Sequence, residues 1–412
     1  MAPSPQPRGR DVRQAPIVAA LGVTQIIGYG SIYYAYPILA PAIAAEFGVQ
    51  EPVLFGILSA GLLLGGLASP VLGRQIDRFG GAQVMCAGSL AMALLSLLIA
   101  GSPNIYVFGG LTLLIELLSF AVLYDAAFSV LAQKRPNDTR RAITNLTLIA
   151  GFASTIFWPV SGWLVTEIGW QGAYLVFAAL HLFLAVPLHG WISAAPRSAE
   201  KAAVEEQRPK PDERYIPLKG RTARRAFILL GIAFGLTGMA ISALGVHLVL
   251  ALQSLGLGSS SYLIAMLMGP AQVAIRVVDA TLWRNQHPLL VAIVSSAAIP
   301  AALALLLLPG PAMILAVCFA ISFGAGQGLS SIVRGAVPVA LFGSEGTGQR
   351  LGRLAAIRSV LGASAPFLFS WIASASSMPF AIGIVMTVGL CGLGALVWLY
   401  RELRLAEKYG AR

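Results

Sequence analysis

The sequence predicts an all-α polytopic membrane protein: twelve transmembrane helices arranged as two six-helix halves. Three observations carry that prediction. Hydrophobic residues make up 57% of the chain and charged residues only 11%, with a mean hydropathy of +0.79, whereas soluble domains carry about 25% charge. Apolar runs long enough to cross a hydrocarbon core, about 20 residues, recur twelve times. One long polar segment, 193–225, divides them six and six.

The spans fall at 16–43, 52–73, 80–101, 104–131, 142–165 and 169–192, then at 226–252, 260–283, 288–309, 311–337, 354–374 and 378–400. Around them lie an N-terminal tail (1–15), the central loop (193–225) and a C-terminal tail (401–412). Apart from Arg276, Arg334 and Arg358, every Lys and Arg lies in a tail, in the central loop or in another even-numbered connection. The odd-numbered connections carry only acids: Glu46, Glu51 and Glu167. By the positive-inside rule the basic side is cytoplasmic, so both termini are expected inside a bacterial inner membrane. The basic, Pro-rich start reads as a cytoplasmic tail, since the apolar span after it is too long and too polar-studded for a cleaved leader.

The net charge of +11 is therefore topological. No basic face with interleaved aromatics points to nucleic acid. The 44 glycines and 24 prolines sit within apolar runs, where membrane helices tolerate them. Cys86, Cys318 and Cys391 lie far apart in apolar segments, without a disulfide or metal spacing. No nucleotide-binding or hydrolase motif stands in a suitable context, so neither an enzyme nor a cofactor is expected. The expected partners are the lipid bilayer and a small molecule, with the chain monomeric.

Along the spans, polar groups are few. The first carries Gln25, Tyr29, Tyr33 and Tyr36 on one stripe, expected to face water in a cavity rather than to pack. The second ends in Gly73-Arg74-Gln75-Ile76-Asp77-Arg78-Phe79-Gly80-Gly81. The fourth holds Glu116 and, half a helical turn away in projection, Asp125. The fifth runs from Gly151 through Trp158-Pro159-Val160-Ser161-Gly162. His181 and His247 are lone histidines that read as packing residues. The eighth span places Gln272, Arg276 and Asp279 on one face; the tenth does the same with Gln327, Ser331 and Arg334; the eleventh contains Arg358.

The loop Gly73 to Gly81 resembles the signature loop of the major facilitator superfamily, a Gly-x-x-x-Asp-Arg-x-Gly pattern between helices two and three. The stretch Gly151–Gly162 is similar to a weakened form of the superfamily's antiporter motif. Gly28-Tyr29-Gly30 to Pro37, Gly169-Trp170-Gln171-Gly172, and Arg334-Gly335 with Pro338 and Leu341-Phe342-Gly343 resemble a bacterial branch related to oxalate and monocarboxylate carriers. Gln171 departs from that branch's Trp-Arg pair. The resemblance implies the major facilitator fold and secondary active transport by alternating access of the two halves. Related carboxylate carriers are similar in placing an arginine on helix eight, here Arg276, and a second cation on helix eleven, here Arg358.

Ionisable groups inside spans cost roughly 2.5–3.5 kcal/mol each on insertion scales and are functional candidates for that reason. Arg276 reads either as a guanidinium fork for a carboxylate, oriented by Asp279, or as a second-half echo of Arg74 and Asp77 at a gate. Arg358 reads as a substrate cation or as a side chain snorkelling to the cytoplasm. Gln25, Tyr29, Tyr33, Gln272 and Trp158 complete the expected substrate-binding set. Glu116, in mid-helix where a bare carboxylate is disfavoured, is the first candidate for proton coupling; Asp125 is the second, or else a structural partner of Arg140, Arg141 or the gate loop. Gly73, Asp77, Arg78, Gly80, Asp279 and Arg334 are expected at the cytoplasmic gate. The leading expectation is carriage of a small organic anion, a mono- or dicarboxylate, by proton symport or exchange. Proton-driven efflux of amphipathic drugs or cations, and a non-transporting membrane sensor, are the alternatives.

Overall fold

A computed structural model describes residues 15–136, 138–194, 218–258, 260–309 and 312–408. Among these residues every regular element is helical. Eleven helical stretches are long and apolar enough to cross a bilayer. One of them, Thr139–Ala194, has 56 residues, about 84 Å at 1.5 Å per residue and far beyond a core of about 30 Å. It breaks at Gly169, whose φ of 73° is open to glycine and strained for other residues. The stretch thus makes two crossings, and the chain makes the twelve expected.

The crossings are α1 (Pro16–Tyr34), α2 (Glu51–Phe79), α3 (Gly81–Ala100), α4 (Ile105–Lys134), α5 (139–168) and α6 (170–194), then α7 (Gly220–Gly245), α8 (Leu263–Thr281), α9 (Pro288–Leu307), α10 (Met313–Phe342), α11 (Thr347–Ala375) and α12 (Met378–Arg404). Local chemistry sets several ends. The Asn104 side chain accepts from the amides of Tyr106 and Val107, both at 3.0 Å, and starts α4. His287 does the same for Leu289 ahead of α9, with Pro288 at the first helical position. Gly80, at φ 95°, turns the chain between α2 and α3.

Large apolar side chains such as Leu67, Leu98, Trp163, Phe183, Phe367 and Trp398 stand exposed around the bundle, as lipid-facing positions should. Inside, one apolar cluster, including Leu39, Phe108 and Phe177, draws on α1 to α6; another, including Leu244, Phe319 and Phe369, draws on α7 to α12. A third, around Ile76, Phe128 and Leu131, takes in Ile332, Ala336, Leu351 and Ala355 from α10 and α11.

That third cluster sits toward the end of the bundle bearing the basic loops, where α2 and α11 cross backbone to backbone. A Cβ on Gly73 would fall on the Gly348 carbonyl, and one on Gly348 would fall on Gly73 in turn. Ser69 Oγ donates to the Gly352 carbonyl at 2.7 Å one turn further in.

Two departures from regular helix matter for the site. In α1 the last turn, Gly30–Tyr34, is a π-turn, and the chain bends at Ala35 into a further helix, Tyr36–Phe47. In α4 the helix stops after Ser119 and resumes at Tyr124.

Candidate functional site

A cavity of about 570 Å³ lies between α1, α2 and α4 on one side and α7, α8, α10 and α11 on the other. Three guanidinium groups reach it: Arg276 from α8, Arg334 from α10 and Arg358 from α11. Among the described residues, no carboxylate lines it. The rest of the wall is aromatic (Tyr29, Tyr34, Tyr124, Phe55, Phe234), neutral polar (such as Gln272, Gln327, Ser59, Ser242 and Ser331) and aliphatic (such as Leu58, Leu62 and Ile241).

Each arginine is held differently. Arg276 is 6% exposed; its Nη1 donates to the Thr147 carbonyl of α5 at 3.1 Å and its Nε to the Gly328 carbonyl of α10 at 3.4 Å. It fits there because Gly151 has no side chain: a Cβ would stand 2.6 Å from Nη1. Arg334 donates from Nη2 to the Tyr29 hydroxyl at 2.9 Å. Its guanidinium lies 4.9 Å from the Tyr124 ring centre and 5.9 Å from that of Phe128, a cation–π arrangement. Its Nε is buried without a partner among the described residues. Arg358 contacts Asp125 Oδ2 at 3.4 Å and lies over Gly238 of α7, where a Cβ would stand 2.7 Å from its Cγ. Gln272 donates to Gln327 at 2.9 Å and ties α8 to α10 in the wall.

Several expectations need correction. Asp279 does not orient Arg276, since backbone carbonyls do that. The Asp279 carboxylate is spent on α5, accepting from Arg140 Nη2 at 3.1 Å and Thr144 Oγ1 at 3.0 Å. Gln25 is fully buried and stands behind the wall. Its amide donates to the Val122 carbonyl at 2.8 Å, one of the groups freed where α4 is interrupted. Tyr33 packs beside Tyr29, ring centres 5.8 Å apart, and Tyr34 lines the cavity in its place. The π-turn explains this: it adds a residue to the turn, so the face of Tyr29 continues at i+5 instead of i+4. Arg334, expected near a gate, belongs to the cavity wall, eight residues before the end of α10. Arg358 points inward, with no snorkelling to the surface. The Trp158 side chain lies outside the described part of the structure.

The two acids on α4 face different ways. Asp125 looks to α11 and Arg358, not to Arg140 or Arg141. Glu116 is 1% exposed and packs on α2, its Cβ and Cγ filling the space left by Gly61. Its Oε2 has no partner among the described residues.

At the basic-loop end the bundle is closed. Asp77 accepts from the Gly348 and Gln349 amides, each at 2.8 Å, and so caps the start of α11. Arg78 stays with its own neighbour, 5.0 Å from the Phe79 ring centre. Arg140 reaches across to the carbonyls of Trp283, Arg284 and Gln286 beyond α8. The hydrogen bonds between residues 15–194 and 218–408 run from this end to the level of Tyr29 and Asp125. The cavity lies beyond them, lined by the first turns of α2 (Phe55 to Leu62) and the later turns of α11 (Gly362 to Pro366).

Twelve apolar crossings around a central cavity that three arginines reach, closed at one end by contacts between helix pairs, define a membrane-transporter architecture. The chain belongs to the Major Facilitator Superfamily, whose family model matches residues 21–348. A gallate transporter of Pseudomonas putida is 26% identical over 170 residues, 41% of this chain and 37% of that protein; the match thus spans little more than a third of the relative's length. Among solved structures, a human organic anion transporter superposes with a TM-score of 0.72 at 16% identity, covering 95% of this chain and 100% of that one. A proton:xylose symporter bound to 6-bromo-6-deoxy-D-glucose gives 0.67 at 14% identity, over 94% and 95%. At such identities the two structures bear on the fold alone.

Tyr34 and Tyr124 escaped the sequence reading. Tyr34 ends the π-turn and Tyr124 follows the interruption of α4, and nothing in hydropathy marks either one.

Proposed function

We propose that the protein is a secondary active transporter of a small organic anion, working by alternating access. The observation that carries this reading is the convergence of Arg276, Arg334 and Arg358 on one cavity with no carboxylate among its described lining residues. A buried charge without a counter-charge is costly by several kcal/mol. Asp125 offsets only one of the three, so the site is completed by an anion. Planar guanidinium forks suit a carboxylate, and Tyr29, Tyr34 and Tyr124 supply flat faces and hydroxyls for the body of an aromatic or unsaturated acid. The gallate transporter among the similar proteins fits that chemistry.

In this reading Arg276, Arg334 and Arg358 bind substrate with Tyr29 and Gln272, and Asp125 or Glu116 carries the coupling proton. The contacts of Gly73, Asp77 and Asp279 form the gate. With the basic loops cytoplasmic and the membrane a bacterial inner membrane, the structure is closed to the cytoplasm and its cavity belongs to the outward side. Rocking of two six-helix halves, 16–192 against 226–400, would exchange the gates. A drug or cation exporter is disfavoured by the same arginines, which would repel a cationic cargo.

The test is uptake of radiolabelled aromatic and aliphatic carboxylates into proteoliposomes. Saturable uptake that collapses in both Arg276→Ala and Arg334→Ala is expected; carboxylate uptake unchanged in both variants removes the anion reading.

A further inference from the structure

We propose that a second, separate pocket at the basic-loop end holds the phosphate headgroup of an anionic phospholipid. This pocket, about 520 Å³, opens between the starts of α7 and α11 and the end of α10. Leu218, Phe227 and Phe342 form its apolar part, and Arg224, Arg350 and Arg353 its charged part. Leu218 fixes one edge by donating its amide to the Leu341 carbonyl at 2.8 Å.

The three arginines differ in what they have left to give. Arg350 donates from Nη1 to the Phe342 and Gly343 carbonyls at 3.0 and 3.2 Å, which satisfies the end of α10 and fixes its guanidinium. Arg224 and Arg353 are exposed and make no hydrogen bond or ion pair with another described residue. The adjacent Arg225, by contrast, is paired to Glu402 at 3.4 Å. Two guanidiniums without a partner among the described residues, beside a fixed third, make a cationic mouth suited to a phosphate.

What selects a lipid over a soluble anion is the surface leading away from that mouth. Along α7, Arg224 is followed at helical spacing by Ile228 and Ile232, which are 52% and 44% exposed. These three residues span about 12 Å along the axis. Along α11, Arg353 is followed by Ile357 and by Val360, which is 41% exposed. Charge at the membrane edge and an apolar track running inward from it match the two ends of a phospholipid, as basic pockets between transmembrane helices do generally. The pocket shares no residue with the central cavity, so it is a site for a bound lipid and not a second cargo site.

The experiment is native mass spectrometry of the full chain released from mixed phosphatidylglycerol and phosphatidylcholine. It compares wild type with Arg224→Gln/Arg353→Gln and with Arg284→Gln/Arg401→Gln, which removes the same charge elsewhere at that end. The wild type and the control should retain phosphatidylglycerol over phosphatidylcholine by about tenfold or more, and the pocket variant should lose the preference while its thermal midpoint holds. Equal retention of the two lipids by the wild type would overturn the proposal, as would equal loss in both variants, which means diffuse surface charge. Displacement of the bound lipid by inorganic phosphate overturns the lipid assignment in favour of a soluble anion.

Discussion

Replacing Arg358 by glutamine isolates its part in anion binding if Asp125 is treated with it. At 3.4 Å their contact is longer than the 2.7–2.9 Å of a strong charged hydrogen bond and engages Nη2 alone, so among the described residues the other donors of the guanidinium are left for a ligand. A hydrogen bond to a charged partner contributes about 1.5–3 kcal/mol. With tenfold for each 1.4 kcal/mol, Arg358→Gln should weaken carboxylate binding by roughly 10- to 150-fold. The single variant also strands the buried Asp125 carboxylate, so a loss of stability would confuse the result. The double variant Asp125→Asn/Arg358→Gln removes both charges and should recover the thermal midpoint without recovering affinity. Binding is read by isothermal titration in detergent and by counterflow in proteoliposomes. If the double variant binds carboxylate as the wild type does, Arg358 is a structural partner of Asp125 alone and the anion argument rests on two arginines.

Further expectations concern the wall, the gate and coupling. Tyr34→Ala should lower carboxylate affinity more than Tyr33→Ala, because the π-turn puts Tyr34 on the cavity; the reverse order in the same titration would contradict the assigned face. Asp77→Ala removes the acceptor for two α11 amides, a cap of typically about 1 kcal/mol. It should raise thiol labelling of a cysteine placed at Ser331, applied from the basic-loop side. Gly151→Ala crowds Arg276 Nη1 and should reduce affinity with little change in expression; wild-type binding would mean that Arg276 does not set the site. Glu116→Gln should keep substrate counterflow and lose proton-driven accumulation. Intact accumulation across an imposed pH gradient would exclude Glu116 as the carrier.

The fold was legible because its determinants are local. Length of apolar run, the one-sided placement of cations and the Gly73–Gly81 loop need no tertiary information, and they gave the twelve crossings that the structure has. Placement of Arg276, Gln272 and Tyr29 at the cavity followed from plain α-helical spacing. The spacing failed where the helix is not α. One π-turn exchanged Tyr33 for Tyr34, and the interruption of α4 at 120–123 drew Gln25 away to a freed carbonyl. Pairing between distant helices was equally out of reach: Asp279 prefers Arg140 on α5 to Arg276 on its own face, and only the packed bundle decides that. Arg334 was misjudged in depth, because α10 extends to Phe342, five residues past the apolar run that located it.

The Asp77 latch has an uneven sensitivity to sequence change. Its carboxylate is held by two main-chain amides, which every residue except proline provides. Drift at Gln349 therefore leaves the latch working, whereas Gly348 has no room for a side chain, since a Cβ there would stand 2.5 Å from the Gly73 carbonyl and 2.9 Å from Asp77 Oδ1. On the other helix a single side chain carries the function, and one substitution at Asp77 removes both bonds. Mutational tolerance across this closure should be lopsided, with Gln349 variable and both Gly348 and Asp77 fixed.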